Sequence, residues 1–422
     1  MAELTVIPTG NRLEIGGVLA SSNFRRLLAG VHKLVEEKGY QDLALDFRKL
    51  DAAFTGGMLP ICAHALQLRN ERVDININLP EKETVRRLFL NANWAWLLEP
   101  RAYKQNHRVA GSRVPALRYS DVEILSGHID RIVSAMLSAI GGLSREQFAA
   151  AEWSLNEIAD NVLMHAGSPV GGLLQLDFRQ GVRKGIEFVV ADAGLGVPAT
   201  LREAKPGLTD EEALEMAVKE GVTRNPQTNQ GNGLFGTFEI CRKSKGTFSM
   251  TSCNASLVLD QGGVVRYRRE SSPFRGTVVD AKIDLSDPAL LSDALRFKGR
   301  PHIPADHIEH RYESGDLRRL NIELRSEVRS FGSRVVAKGL YQKLENLIRM
   351  CPDQVLILDF DGVPVISSSF ADEVFGRLFV HLGPVRFSSF VQYRNISETV
   401  AGLIDRAIKL RFQQSLLDNG LY

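Results

Sequence analysis

The chain has 422 residues, enough for two to four domains. Its 44% hydrophobic and 24% charged content is that of a soluble, folded protein. A formal net charge of +2 gives no reason to expect a general nucleic-acid binder. Cys62, Cys241, Cys253 and Cys351 are scattered without metal-ligand or redox spacing, which points to a reducing, cytoplasmic setting. The opening "MAELTVIPTGNRLEIG" has no basic stretch leading into an apolar run, so no secretion leader is expected. No apolar run approaches about 20 residues, so no membrane span is expected.

In chain order, residues 1–110 predict a small α/β unit. "FRRLLAGVHKLVEEKG" has helical periodicity, "DLALDF" is a short apolar strand, and "FTGGMLPICAHALQL" is a turn feeding a helix. "RVDININL" alternates as a strand, and "KETVRRLFLNANWAWLL" returns to helix. A polar, proline-containing connection follows. Residues 118–285 predict two helices, over "DVEILSGHIDRIVSAMLSAI" and "SREQFAAAEWSLNEIADNVLMHA", then the strands "GGLLQLDFRQ" and "GIEFVVADA". The segment 197–230 is helical around "DEEALEMAVKEG" and loose around "TRNPQTNQGNG". A run of antiparallel strands closes the unit, over "TFSMTS", "ASLVLD", "VVRYRR" and "RGTVVDAKI". Helices first and a meander later predict a two-layer α/β sandwich. Residues 286–320 look like a linker. Residues 321–422 predict a third, α/β unit: helix, the strand "QVLILDFDG", a turn and helix over "SSSFADEVFGRLFVHLG", the strand "RFSSFV" and a closing helix. The two flanks echo each other. "DLALDFRKLDAAFTGGMLPICAHAL" and "QVLILDFDGVPVISSSFADEVFGRL" share an apolar strand, "LDF", a polar turn, small hydroxyl residues and a helix.

The middle unit carries the densest chemistry. In "SLNEIADNVLMHA", Glu157, Asn161 and His165 recur every four residues and so lie near one helix face, beside the apolar Leu155, Ile158, Val162 and Leu163. This suits a pocket wall and equally a half-exposed helix. "VVADAGLGVP" places Asp192, Gly194 and Gly196 after an apolar strand, where a carboxylate can accept from an exocyclic amine and glycines let backbone approach a planar base. "QGNGLFGTFEICRKS" places Gly231, Gly233 and Gly236 at a helix start, whose free amides can cradle phosphate, though glycine also marks hinges. "GTVV" brings Gly276 and Thr277 at a strand start.

In this order the boxes resemble the ATP-binding superfamily of gyrase and the histidine kinases, the GHKL or Bergerat fold, over roughly residues 120–285. The resemblance implies an α/β sandwich binding ATP and Mg²⁺. It implies that Asn161 ligates Mg²⁺ on the phosphates, that Asp192 reads the adenine amine beside Gly194 and Gly196, and that Gly231, Gly233 and Gly236 face the phosphates. Thr277 would support adenine recognition through water, and residues 197–230 would form a lid. Glu157 would lie near the metal and polarise either water or a protein hydroxyl, or only help hold Mg²⁺. His165 would either approach the nucleotide or hold the helix. Lys219, Arg224 and Lys243 are candidate phosphate contacts by proximity, each individually read more readily as a solvated surface charge. No phospho-acceptor histidine helix pair and no gyrase-type transducer domain is recognisable.

Residues 322–420 resemble the STAS-like family related to anti-sigma factor antagonists, most strongly in "LILDFDGVPVISSSFADEVF". The resemblance implies a phosphorylatable hydroxyl at the helix start, which falls at Ser368. Ser367 replaces the usual aspartate before it and Phe370 the usual glycine, and helix capping by these serines competes with that role. The same count in the N-terminal copy, whose STAS-like resemblance is weaker, falls at Thr55, before Gly56 and Gly57. The expected function is an Mg-ATP-binding regulator whose slow hydrolysis rearranges STAS-like interaction domains that bind a protein partner. A serine/threonine kinase of anti-sigma type and a non-catalytic ATP-sensing scaffold stand as alternatives, and a homodimer stays open. Neither membrane nor nucleic acid is indicated; Arg266, Arg268, Arg269 and Arg275 are expected on a solvated strand edge.

Overall fold

The computed structural model describes residues 3–108, 112–181, 183–222, 232–297, 299–313 and 318–418. The chain is mixed α/β and divides into two compact units, one of residues 1–132 with 153–303, the other of 133–152 with 304–422.

The first unit opens with β1 (Thr5–Thr9) and β2 (Arg12–Leu19), an antiparallel hairpin additional to the elements expected. Helix α1 (Phe24–His32) buries Phe24, Leu27, Leu28 and Val31, the spacing of one helix face. Then come β3 (Asp42–Asp46), β4 (Leu50–Ala53), α2 (Thr55–Asn70) and β5 (Asp74–Asn78). β2, β3 and β5 run parallel, and β4 pairs with β2. The helix expected over "KETVRRLFLNANWAWLL" is broken into α3 (Glu83–Asn91) and α4 (Trp94–Leu98), because Asn93 turns left-handed at φ 67°. Its amide side chain ties the break to the Ala116 and Asn106 carbonyls.

A second sheet follows. Its first strands are β6 (Arg113–Tyr119), β7 (Gly172–Arg179) and β8 (Gly185–Asp192), with the helices α5 (Val122–Ala139) and α6 (Arg145–Asn161) between β6 and β7 in the chain. Helices α7 (Val197–Ala204), α8 (Asp210–Ala217) and α9 (Gly233–Lys243) then lead to β9 (Thr247–Leu259) and β10 (Val265–Asp284). The strand order is β6-β7-β8-β10-β9, all antiparallel. The four short closing strands expected from the sequence are two long ones, β10 carrying irregularities between Arg269 and Thr277. One face of this sheet, including Ala116, Leu173, Val189, Ala191 and Val278, shares a single core with the N-terminal α/β elements. Arg25 of α1 reaches into that junction and donates to the carbonyls of Cys253, Ala255 and Ser272. The stretch expected as linker begins with α10 (Leu290–Ala294) and a small hairpin, β11 (Arg296–Phe297) with β12 (Arg300–Pro301).

The second unit takes α11 (His307–Arg311), β13 (Arg319–Glu323), α12 (Leu324–Glu327), α13 (Arg334–Met350), β14 (Val355–Asp359), α14 (Ser368–Ala371), α15 (Arg377–Leu382), α16 (Pro384–Phe390), β15 (Val391–Arg394) and α17 (Glu398–Asp418). β13, β14 and β15 are parallel. The strand expected over "RFSSFV" is mostly the helix α16, with β15 beginning only at Val391; Pro384 in the first turn after Gly383 suits a helix start. Asn346 of α13 donates to the Leu137 and Ile140 carbonyls and accepts from the Gly142 amide, while Arg145 pairs with Asp306 and Glu313. Residues 133–152 are therefore part of this unit's interior.

The two "LDF" aspartates do the same local job. Asp46 accepts from the Arg48 backbone amide and Asp359 from that of Asp361, each two residues on. Each also holds arginine: Arg12 and Arg48 at Asp46, Arg394 at Asp359. Burial pushes the Asp46 carboxyl up, but the Arg48 and Arg12 hydrogen bonds outweigh it and bring its pKa down to about 2.

Candidate functional site

The last turns of α6 form one wall of a cavity of about 440 Å³ in the first unit. Leu155, Ile158 and Val162 are buried beneath it, and Glu157, Asn161 and His165 line it as half-buried groups. The α-helix stops at Asn161 and continues as a π-helical turn over Val162–Ala166, closed by Gly167 at φ 55°. Such turns re-aim side chains, here His165, relative to a regular helix. The Ala166 carbonyl accepts from the Leu195 amide at 2.7 Å, and a Cβ on Gly194 would stand 2.1 Å from that same oxygen. Only glycine permits the loop after β8 to pass so close to the helix end.

Asp192, at the end of β8, lines the cavity yet is only 2% exposed. Its Oδ1 accepts from the Gly194 amide at 2.7 Å, and the Thr277 amide also serves the carboxylate. Burial dominates these bonds and pushes its pKa up to about 7. Gly196 and Thr277 border the same end: the Ser252 hydroxyl accepts from the Val197 amide, donates to the Gly276 carbonyl and lies 3.2 Å from Thr277 Oγ1.

The opposite end is set by α9. A Cβ on Gly233 would stand 2.3 Å from Glu157 Oε2, and one on Gly236 would stand 2.3 Å from Trp153 Cη2. These glycines let the start of α9 press onto α6 at Trp153 and Glu157. Asn232 and Gly233 line the cavity, Gly236 packs just behind it, and Gly231 lies outside the described residues. Glu157 and His165 are eight residues apart, so at no more than about 1.5 Å per residue they stand within about 12 Å of each other along the axis. Burial and the nearby Asp160 raise the Glu157 carboxyl above its ordinary pKa. Asp160 is raised by burial as well, partly offset by His165. Asn161 Nδ2 is buried and without a hydrogen-bond partner among the described residues.

The structure adds groups that the motifs do not mark. Trp153, one turn before Glu157, together with Phe297 and His302 from the β11–β12 segment, completes the wall. Ring centroids stand 6.4 Å apart for Trp153 and His302 and 5.3 Å apart for Phe297 and His302. The only available signal is the pair of rings in "RFKGRPHIP", inside a charge-rich stretch that reads as linker. Lys219 pairs with Glu215 at the surface, Lys243 is exposed, and neither lines the cavity. Arg224 and the rest of residues 223–230 of the expected lid lie outside the described residues. Arg266 pairs with Asp260 and Arg275 with Glu71. Thr55 is buried at the start of α2, its hydroxyl 3.4 Å from Asp177 of β7. Ser368 is exposed as the first residue of α14, and the capping oxygen is that of Ser367, which accepts from the Phe370 amide at 3.1 Å.

Residues 336–401 match the family described as "STAS-like domain of unknown function (DUF4325)", in agreement with the resemblance of the C-terminal flank. No curated protein matches the chain. Among the described residues no helix is long and apolar enough to cross a membrane, and no group of three or more His, Cys, Asp or Glu side chains could hold a metal ion.

Proposed function

We propose that the cavity binds Mg-ATP in a Bergerat-type sandwich and that the chain is a nucleotide-driven regulator hydrolysing ATP slowly. The observation that carries this is the presence, in one cavity, of a buried aspartate and of a glutamate pressed against a glycine-started helix. A buried carboxylate held by two backbone amides and no cation is still costly when ionised, and a further ligand donor would offset that cost. Asp192 would accept the adenine exocyclic N–H, with Thr277 and Gly196 beside the base. The backbone amides at the start of α9 would face the phosphates.

The donor set fits a magnesium ion that takes most of its ligands from phosphate and water. Asn161 would supply its side-chain oxygen, with Glu157 beside it on the same wall. When bound, the ion would offset the negative charge of the phosphates. Glu157, its pKa raised, is suited to accept a proton from water as the water oxygen bonds to the terminal phosphorus. The bond from that phosphorus to the bridging oxygen breaks, leaving ADP and inorganic phosphate. A protein hydroxyl replacing water would make the protein a kinase. The exposed Ser368, in the region matching the STAS-like family, keeps that second reading in view. That same region is proposed as the surface for a protein partner.

The test is incubation of the purified chain with Mg²⁺ and γ-labelled ATP, following free phosphate and protein-bound label together. Hydrolysis predicts free phosphate that falls at least 100-fold in Glu157→Ala and Asn161→Ala. Label on the protein, removed by Ser368→Ala or Thr55→Ala, would replace the hydrolase with the kinase. Absence of any nucleotide binding would sink the proposal.

A further inference from the structure

Among the described residues, the cavity offers little positive charge for the ligand proposed. Among its described lining residues are three carboxylates, Glu157, Asp160 and Asp192, and no lysine or arginine. The basic groups among those described lining residues are His165 and His302. His165 lies in the π-turn that adjoins the Asp192 loop and acts on Asp160. His302 stands at the other end, against Trp153, one helical turn before Glu157. It is carried by the β11–β12 segment, which follows the last strand of the sandwich. Its backbone amide is fixed to the Leu295 carbonyl at 2.9 Å, and its ring lies among Trp153 and Phe297. The ring is thus held in place before any ligand arrives, and a preorganised donor loses little entropy on binding.

We infer that His302 contacts the terminal phosphate group of the bound nucleotide and so sets a preference for triphosphate over diphosphate. The inference rests on the nucleotide reading above and extends the site to the segment beyond the sandwich. A ring N–H donating to a phosphate oxygen is a hydrogen bond to a charged group. Phe297 is a positioning residue, acting through the stack that orients the His302 ring.

The test uses the full chain with Mg²⁺, and titrates ADP and the non-hydrolysable β,γ-imido analogue of ATP by calorimetry. His302→Ala removes the ring, whereas His302→Phe keeps an aromatic ring against Trp153 and Phe297 but removes the donor. Both are expected to weaken the triphosphate analogue about tenfold, the loss of one charge-assisted hydrogen bond, and to leave ADP within about twofold. Equal losses for the two nucleotides, or full retention of the analogue by His302→Phe, would overturn the inference while leaving the site intact. A wild-type chain that binds neither nucleotide would overturn the nucleotide reading itself.

Discussion

Asp192 is a residue whose chemistry the fold changes strongly. Burial outweighs two backbone donors and raises its carboxyl pKa from the ordinary 3.8 to about 7. The folded state therefore holds this proton more tightly than the unfolded state does. Stability is undiminished below the unfolded value, and is lost as pH rises toward 7. At about 1.4 kcal/mol per pKa unit, the ionised group costs on the order of 4 kcal/mol at pH 8. Asp192→Asn removes the charge while keeping the shape, so it should stabilise the first unit by up to about this amount at pH 8 and by less than half as much at pH 5. All three tryptophans, Trp94, Trp96 and Trp153, lie in that unit, so denaturant titrations read by tryptophan fluorescence report on it. A gain independent of pH would show that Asp192 is not the titrating group. Asp192 was legible as a candidate because it ends an apolar strand before glycines. Its burial and shifted proton affinity were not, since they depend on strands far away in sequence.

At the scale of elements, the contact between α6 and α9 decides the site. Gly236 is read from the sequence as part of a phosphate-facing box, yet in the structure it also admits Trp153. Gly236→Ala should gain up to about 1 kcal/mol in helix propensity but lose about 1–3 kcal/mol through the clash with the indole. The expected net is a loss of up to roughly 2 kcal/mol, seen as a lower melting temperature by tryptophan fluorescence. An unchanged or raised temperature would mean that the two helices can part without cost. The periodicity of Glu157, Asn161 and His165 was legible because a step of four repeats nearly one helical turn. The switch to a π-turn after Asn161 was not, because it is fixed by the Leu195 amide bonding back to Ala166. Likewise α16 replaces an expected strand, since a short apolar run does not separate strand from helix by itself.

At the scale of the whole molecule, sequence order and structural units diverge. The family match covers 336–401, but the second unit also contains residues 133–152. Lys343, 2% exposed, is held by Glu327 and by the Ser134 hydroxyl at 2.6 Å. Burying that ammonium without its full set of partners costs several kcal/mol. A fragment of residues 304–422 should therefore lack a cooperative thermal transition by circular dichroism, and addition of a peptide of residues 133–152 should restore one. A fragment that melts cooperatively by itself would show that these contacts are dispensable.

What the sequence determined alone is whatever depends on neighbours a few residues apart: the "LDF" turns, the amphipathic faces, the glycine-rich starts and the order of the boxes. Helical and strand periodicity, and the φ freedom of glycine, are local properties written directly in residue types. The tertiary structure decided what depends on distant groups meeting. It brought Phe297 and His302 from an apparent linker to Trp153, buried Thr55 against Asp177, and carried residues 133–152 into the second unit. Burial and charge proximity are properties of packing, and no spacing along the chain encodes them singly.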